Sequence, residues 1–285
     1  MQKNKPLLTE FQKNIPARIK KEIESLLPTI HLMIVANTND PIIGKGCKLD
    51  VKAMRQLFGK ITRFTHFPLV EILIAGDRYT LQNILKALDG IQPKKKDCVI
   101  FYYSGHGFSY EKEKSKKFPQ MDFRSNPADS NIKVVDAHTK NLADIFETIK
   151  AKGAHLNLVI GDCCNSVIDF KRLYSGDKKV VQEKIVPANA DFCKKLFSGI
   201  GASIMAAAAK KGEHAISDDA IGSLFTYSLL KKIKDGVNSS VPVKDMSWEN
   251  LLRHAKAETL KQSAGYDNGC GEPSRQDAIY VIEQK

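Results

Sequence analysis

The sequence predicts an α/β fold built on a mostly parallel sheet with helices on both faces. The first observation is a series of short apolar runs, such as IHLMIVA at 30–36 and LVEILIA at 69–75. Such nearly continuous runs are typical of strands buried on both faces. The second observation is that segments with apolar residues at helical spacing alternate with these runs. Ligands of such folds bind beyond the carboxyl ends of the strands, so the residues there are the first functional candidates.

The alternation continues along most of the chain. The further predicted strands are CVIFYY at 98–103, HLNLVI at 155–160, GASIMAAAA at 201–209 and AIYVIE at 278–283. The first predicted helix begins at Leu49, after the first strand. Four further helices are predicted over 81–88, 142–149, 224–233 and 247–260.

Three segments do not fit the alternation. Segments 107–139 and 167–197 show neither the apolar run of a buried strand nor the apolar spacing of a helix. Loops of that length inside a compact domain are usually functional or mobile. The first 29 residues carry three prolines and predict an appended helical arm. We therefore expect an arm over 1–29 and a single domain over 30–283, with a mobile basic linker at about 167–197.

The composition is that of an ordinary folded protein with excess positive charge. Hydrophobic residues make up 42% of the 285 residues and charged residues 27%, which excludes a disordered chain. The net charge of +12 would attract nucleic acid, anionic lipid or acidic proteins without choosing among them. No helix-turn-helix, zinc-finger or aromatic-rich sheet motif accompanies the charge, so we regard nucleic acid as an unlikely partner.

The six cysteines, at 47, 98, 163, 164, 193 and 270, form no C-x-x-C pair and no series with histidines. This spacing argues against a zinc site and against a disulfide scaffold, and it favours a reducing compartment. No apolar run is long enough to span a bilayer, so no membrane partner is expected. We expect a cytoplasmic protein; secretion is the alternative if a leader has been removed.

Two strand ends carry residues that can form a nucleophilic site. The third strand leads into FYYSGHG, with His106, and the fourth leads into VIGDCCNS, with Cys163 and Cys164. A thiolate is the nucleophile of a cysteine enzyme, and a neighbouring imidazole can take its proton and later protonate the leaving amine. A lone cysteine is more often a buried core residue. The joint placement of both groups at one sheet edge favours catalysis.

YYSGHG followed by DCCNS resembles the caspase-type cysteine peptidases (peptidase family C14), and most closely the metacaspase and bacterial orthocaspase branch. The resemblance implies a three-layer αβα sandwich with strand order 2-1-3-4-5-6 and one antiparallel strand. It also implies that His106 is the acid and base, that Cys164 is the nucleophile, and that Cys163 is its inward-facing neighbour. The backbone N–H groups of Gly107 and Cys164 would then bind the oxyanion.

GCKLD at 46–50 resembles a second metacaspase motif and implies that Asp50 and Asp162 line the S1 pocket, which holds the residue before the cleaved bond (P1). Two carboxylates in a narrow cleft accept the guanidinium of Arg or the ammonium of Lys and repel an acidic side chain. The resemblance therefore implies protein or peptide substrates with Arg or Lys at P1. Taken singly, Asp50 is equally consistent with a helix N-cap and Asp162 with a turn residue.

Two departures from the metacaspase pattern stand out. Asn165 occupies the position where metacaspases usually have histidine. The helix before the catalytic strand carries only Asp144, where many metacaspases carry paired aspartates for an activating Ca²⁺. Because Ca²⁺ needs several oxygen ligands, we expect no required cofactor and no metal site, and activation by Ca²⁺ stays an open but disfavoured alternative.

The basic stretch 171–184 has two compatible interpretations: a solvated loop and a self-processing linker. A peptidase selective for basic residues would find its own targets there: Lys171, Arg172, Lys178, Lys179 and Lys184. The main alternative to a peptidase is a catalytically silent relative that acts as a binding scaffold. The sequence does not predict an oligomeric state.

Overall fold

The computed structural model describes residues 22, 25–124, 131–167, 189–238, 247–268 and 270–285. The candidate self-cleavage residues in 171–184 and most of the predicted arm lie outside these ranges.

The core of the fold is a six-stranded sheet in the order β2-β1-β3-β7-β8-β11. Its strands are β1 (Ile30–Ala36), β2 (Leu69–Ala75), β3 (Cys98–Ser104), β7 (Leu156–Asp162), β8 (Ala202–Ala207) and β11 (Ile279–Gln284). The first five are parallel, and β11 runs antiparallel to β8. The predicted strand order with one antiparallel strand is therefore confirmed.

Helices cover both faces of this sheet and make it the middle of three layers. They are α1 (Gly44–Thr65), α2 (Leu81–Gly90), α3 (Ile132–Ala137), α4 (Leu142–Lys150), α5 (Ala190–Ser198), α6 (Leu224–Val237) and α7 (Trp248–Ser263). Alternate residues of β1 point into the two cores: Ile34 belongs to the core that includes residues of α1, α5, α6 and α7, and Val35 belongs to the core that includes residues of α2 and α4.

The ends of β1, β3 and β7 lie level with one another. In the strand register Ala36 is opposite Ser104, and Ser104 is opposite Asp162. The loops that leave these three strands therefore start at one rim of the sheet.

A small three-stranded sheet occupies parts of residues 106–141, mostly within the segment 107–139 that the sequence left unassigned. It has the order β4-β5-β6, with β4 (His106–Phe108), β5 (Gln120–Asp122) and β6 (Thr139–Asn141). Strands of three residues are too short to show an alternating pattern. A two-stranded hairpin, β9 (Ser217–Asp218) and β10 (Gly222–Ser223), precedes α6.

Three local predictions need correction. Helix α1 begins at Gly44 rather than Leu49. The sequence pattern missed this start because the first turn is rich in glycine and shows no apolar period. The last part of the predicted linker is helix α5, which Asn189 caps by accepting the N–H of Phe192 at 2.9 Å. His155, the first residue of the predicted strand 155–160, lies before β7, where its Nε2 contacts the carbonyl of Gly199 at 3.1 Å.

Candidate active site

His106 is the first residue of β4, directly after the turn that ends β3. Its Nε2 lies 2.7 Å from Oδ2 of Asp40, and its side chain is 20% exposed. Its backbone carbonyl accepts a 2.6 Å hydrogen bond from the hydroxyl of Tyr103, a buried residue of β3. Hydrogen bonds therefore hold His106 both at its backbone carbonyl and at Nε2 of its ring, and the ring remains accessible to solvent.

Asp40 lies in the loop between β1 and α1, and its side chain is fully buried. Its Oδ1 accepts the backbone N–H groups of Ile42 at 2.9 Å and Ile43 at 2.8 Å. Burial alone would raise the pKa of Asp40, but the hydrogen bond and charge of His106, with these two N–H groups, lower that pKa to about 2. The carboxylate therefore stays ionised throughout the neutral pH range.

The stretch around His106 runs beside the stretch around Cys164. The N–H of Gly105 donates to the carbonyl of Asp162 at 3.3 Å, and the N–H of Ser109 donates to the carbonyl of Ser166 at 2.8 Å. These two bonds lie on either side of His106 on one stretch and of Cys164 on the other. The histidine and the cysteine pair of the predicted site are therefore brought onto adjacent backbone segments.

The two adjacent cysteines face opposite cores. Cys163 is fully buried in the core beside α2 and α4, whereas Cys164 belongs to the other core and retains 7% exposure. The Sγ of Cys164 accepts the N–H of Ala215 at 3.4 Å and lies 3.7 Å from the carbonyl oxygen of the same residue. The segment around Ala215, which follows β8, therefore covers much of this thiol.

Asn165 joins three segments at this rim. Its side-chain Nδ2 donates to the carbonyls of Lys117 at 2.8 Å and Ala209 at 3.2 Å. Its backbone carbonyl accepts a hydrogen bond from the hydroxyl of Ser109 at 3.0 Å. Its backbone N–H donates to the carbonyl of Glu213 at 3.0 Å. The asparagine that departs from the metacaspase pattern thus has a structural role in this chain.

The two predicted pocket carboxylates lie at the same rim, and each is only 1% exposed. Asp50 is inside α1, not at its N-cap, and accepts the hydroxyls of Ser104 at 2.8 Å and Ser223 at 2.6 Å. Asp162 accepts the N–H of Thr226 at 2.9 Å and its hydroxyl at 2.6 Å. Both carboxylates are therefore satisfied by donors from the first residues of α6 and from just before it.

Burial raises the pKa of Asp50 to about 6, because the hydrogen bonds from Ser223, Ser104 and Tyr102 offset only part of the desolvation. Tyr102 connects the two acids, since its hydroxyl lies 2.8 Å from that of Thr226, the residue bonded to Asp162. Asp50 is thus partly protonated near pH 6.

Asp40 is the site residue that the sequence did not reveal. It stands in NTND, where an aspartate normally indicates a turn, and its one signal is that it closely follows the carboxyl end of β1. The backbone of Ala215 was also missed, because 51 residues separate it from Cys164.

Among the described residues, no group of three or more His, Cys, Asp or Glu side chains is arranged to hold a metal ion. Asp144 instead has Nζ of Lys140 at 3.7 Å. Across the same described ranges, no helix has the length and apolar character needed to cross a bilayer. All six cysteines are described, and none forms a disulfide.

Comparison with known proteins gives one positive finding. The family model of the caspase domain of peptidase family C14 matches residues 33–272, a range that includes His106, both adjacent cysteines, Asp50 and Asp162. A search among curated proteins found no match. Given this match over most of its length, and the sheet order described above, the chain belongs to the caspase-domain family of cysteine peptidases.

Proposed function

We propose that this protein is a cysteine endopeptidase of the metacaspase type that cleaves after Arg or Lys, with His106 and Cys164 as its reacting groups. The observation that carries the proposal is the hydrogen-bonded alignment of the Gly105–Ser109 stretch with the Asp162–Ser166 stretch. This alignment supports a shared site for the imidazole and the more exposed of the two adjacent thiols.

In the proposed reaction His106 takes the proton of Cys164, and the thiolate attacks the carbonyl carbon of the substrate. The backbone N–H groups of Gly107 and Cys164 stabilise the resulting oxyanion. The C–N bond then breaks, and the amine leaves with the proton from His106. Water, deprotonated by His106, finally hydrolyses the thioester and restores the thiol.

The proposed preference for a basic P1 residue depends on Asp50 and Asp162. Both are buried carboxyl groups, and the groups that donate hydrogen bonds to them in this structure are neutral hydroxyl and N–H groups. A guanidinium that replaced part of these donors would gain charge-assisted hydrogen bonds. Substrate entry therefore requires the segment that carries Ser223 to move from Asp50.

The direct test is a set of fluorogenic peptides that differ only at P1, with Arg, Lys, Asp and Asn, assayed with and without Ca²⁺. We expect turnover of the Arg and Lys peptides only, without a Ca²⁺ requirement, and none by the Cys164→Ala control. Turnover of the Asp peptide, or equal turnover by the control, would contradict the proposal.

Self-processing in 171–184 is a separate part of the proposal, since Lys171, Arg172, Lys178, Lys179 and Lys184 have the expected P1 chemistry. Wild-type protein should release fragments that end at one of these residues, and Cys164→Ala should remain intact. Mass spectrometry of both samples locates the ends. Identical fragments from the two proteins would refute self-processing.

A catalytically silent binding scaffold is the second candidate. One observation favours it: the thiol of Cys164 is covered, since this residue is only 7% exposed and its sulfur accepts a hydrogen bond from the backbone N–H of Ala215. An arginyl or lysyl electrophile separates the two functions, because a working site labels Cys164 and a silent one does not.

A further inference from the structure

The carboxylate of Asp40 has a small and well-defined set of contacts. Oδ2 meets Nε2 of His106 at 2.7 Å, and Oδ1 accepts the backbone N–H groups of Ile42 and Ile43. The side chain is fully buried. His106 is the one ionisable group in this set of contacts, so the buried charge is directed at the imidazole.

This contact decides which nitrogen of His106 carries the hydrogen. An ionised carboxylate has no hydrogen to donate, so Nε2 must be the N–H of the neutral ring. The other nitrogen, Nδ1, is then the basic one and can receive a proton. The lowered pKa of Asp40, about 2, keeps the carboxylate in this accepting form at every pH at which the protein would be assayed.

We propose that Asp40 is a positioning residue of the active site: it fixes the Nε2–H tautomer of His106 and stabilises the imidazolium that forms when Cys164 loses its proton. This inference rests on the proposed function, in which these two residues react. The thiol proton passes to Nδ1, the electron pair stays on sulfur, and Asp40 remains ionised. The imidazolium then lies between two anions.

A second pair in the same molecule shows what an ordinary structural contact of this type looks like. Asp97 also accepts two backbone N–H groups, those of Thr29 at 2.9 Å and Lys94 at 2.8 Å, but its contact with Nε2 of His31 is long, at 3.4 Å. This pair lies at the amino ends of the strands, opposite the proposed site. Asp97→Asn is therefore a matched control.

The test variant is Asp40→Asn. Its Oδ1 can still accept from Ile42 and Ile43, but the new amide group donates towards Nε2, so the ring must carry its hydrogen on Nδ1 and offers the thiol no basic nitrogen. We expect kcat/KM to fall on the order of 100-fold, mainly through kcat, since a wrong tautomer disables proton transfer. Asp97→Asn should retain wild-type kcat and KM.

A second readout requires no peptide substrate. Alkylation of Cys164 by iodoacetamide, measured against pH and assigned by mass spectrometry, reports how readily the thiolate forms. Asp40→Asn should move the midpoint of this curve upward by about one pH unit, because the imidazolium loses its stabilising anion. Asp97→Asn should leave the curve unchanged, and the exposed Cys270 provides a reference rate in each sample.

The outcomes separate this inference from the proposed function. An unchanged alkylation curve in Asp40→Asn, or an equal shift in both variants, overturns the role of Asp40. A shifted curve in a protein that cleaves no peptide supports Asp40 and overturns the peptidase proposal. If Asp40→Asn does not fold, ¹⁵N NMR of wild-type histidines decides: His106, assigned by its loss in His106→Gln, must show the Nε2–H tautomer, and Nδ1–H overturns the inference.

Discussion

Gly107 follows His106 in β4, and the space beside it leaves no room for a side chain. A Cβ at this position would lie 2.7 Å from the carbonyl oxygen of Cys164 and 2.8 Å from Cβ of Cys163. Real Cβ atoms do not approach other atoms this closely, and backbone atoms cannot rotate away as a flexible side chain can. The glycine is thus required for the close approach of the two stretches that carry the proposed reacting groups.

We expect Gly107→Ala to lower the free energy of unfolding by about 2 kcal/mol, a usual cost of forcing extra atoms into a packed site. Peptide cleavage should fall by more than tenfold, because the histidine and cysteine stretches must separate. Urea unfolding and kcat/KM measure the two effects. Gly59→Ala is the control. It lies within α1, and apart from its chain neighbours and the backbone of its own helix no atom lies within 4 Å of the added Cβ, so this variant should be neutral or slightly stabilising. Equal stability of the two variants would show that Gly107 is not constrained.

At the level of single residues, the sequence predicted where His106 and Cys164 lie better than it predicted their contacts. His106 and Cys164 stand in short motifs directly after apolar strands, so their placement follows from the strand ends alone. Asp40 has no motif, and its contact with His106 depends on the path of the loop between β1 and α1. Loop paths are set by tertiary packing and leave no periodic signal.

Four elements meet at Asp50. The residue belongs to α1, and its carboxylate accepts from Ser104 at the end of β3 and from Ser223, the last residue of β10, which directly precedes α6. Gly222, at φ +83°, lets the chain turn here. Because the carboxylate is buried, its pKa is raised from 3.8 to about 6, and the folded protein binds the proton more tightly than the unfolded chain.

The sign of the stability effect follows from that difference. Between about pH 4 and pH 6 the folded state holds more protons, so ionisation of Asp50 lowers the free energy of unfolding as pH rises through this window. We expect Asp50→Asn, which cannot ionise, to gain stability relative to wild type by roughly 2 kcal/mol from pH 4 to pH 7. Urea unfolding at several pH values measures the gap, and a gap that stays constant would contradict the raised pKa.

The same titration should appear in the proposed activity. A basic P1 side chain needs the ionised carboxylate, so cleavage after Arg should increase as pH rises through about 6.

The elements around Asp50 also show which elements a sequence pattern can predict. Apolar spacing predicted α1 and β3, whereas β9 and β10, of two residues each, were not predicted. Short elements depend on contacts with distant segments, here with α1.

At the scale of the whole molecule, one sheet joins the parts of the chain on either side of 168–188. β7 pairs with all six residues of β8, from Leu156 opposite Ala202 to Gly161 opposite Ala207. The core on the α1 face includes Leu158 from before that segment and Phe225 from after it. The strands were predictable because each has its own apolar run, whereas their order was implied by the resemblance to the caspase-type peptidases. The cover over Cys164 was not, since it depends on how the chain after β8 returns to the rim.

This shared sheet predicts that the two parts stay together if the chain is cut between them. We expect Cys164→Ala protein carrying an inserted specific protease site within 168–188 to give two bands on a denaturing gel after cleavage and one peak, at the uncut elution volume, in native gel filtration. Buried apolar surface and six consecutive residue pairs between β7 and β8 hold the parts together without the covalent link. In urea, the unfolding midpoint of the cut protein should depend on protein concentration, whereas that of the uncut control should not. Two separate native peaks would show that the connection through 168–188, rather than the shared core, maintains the fold.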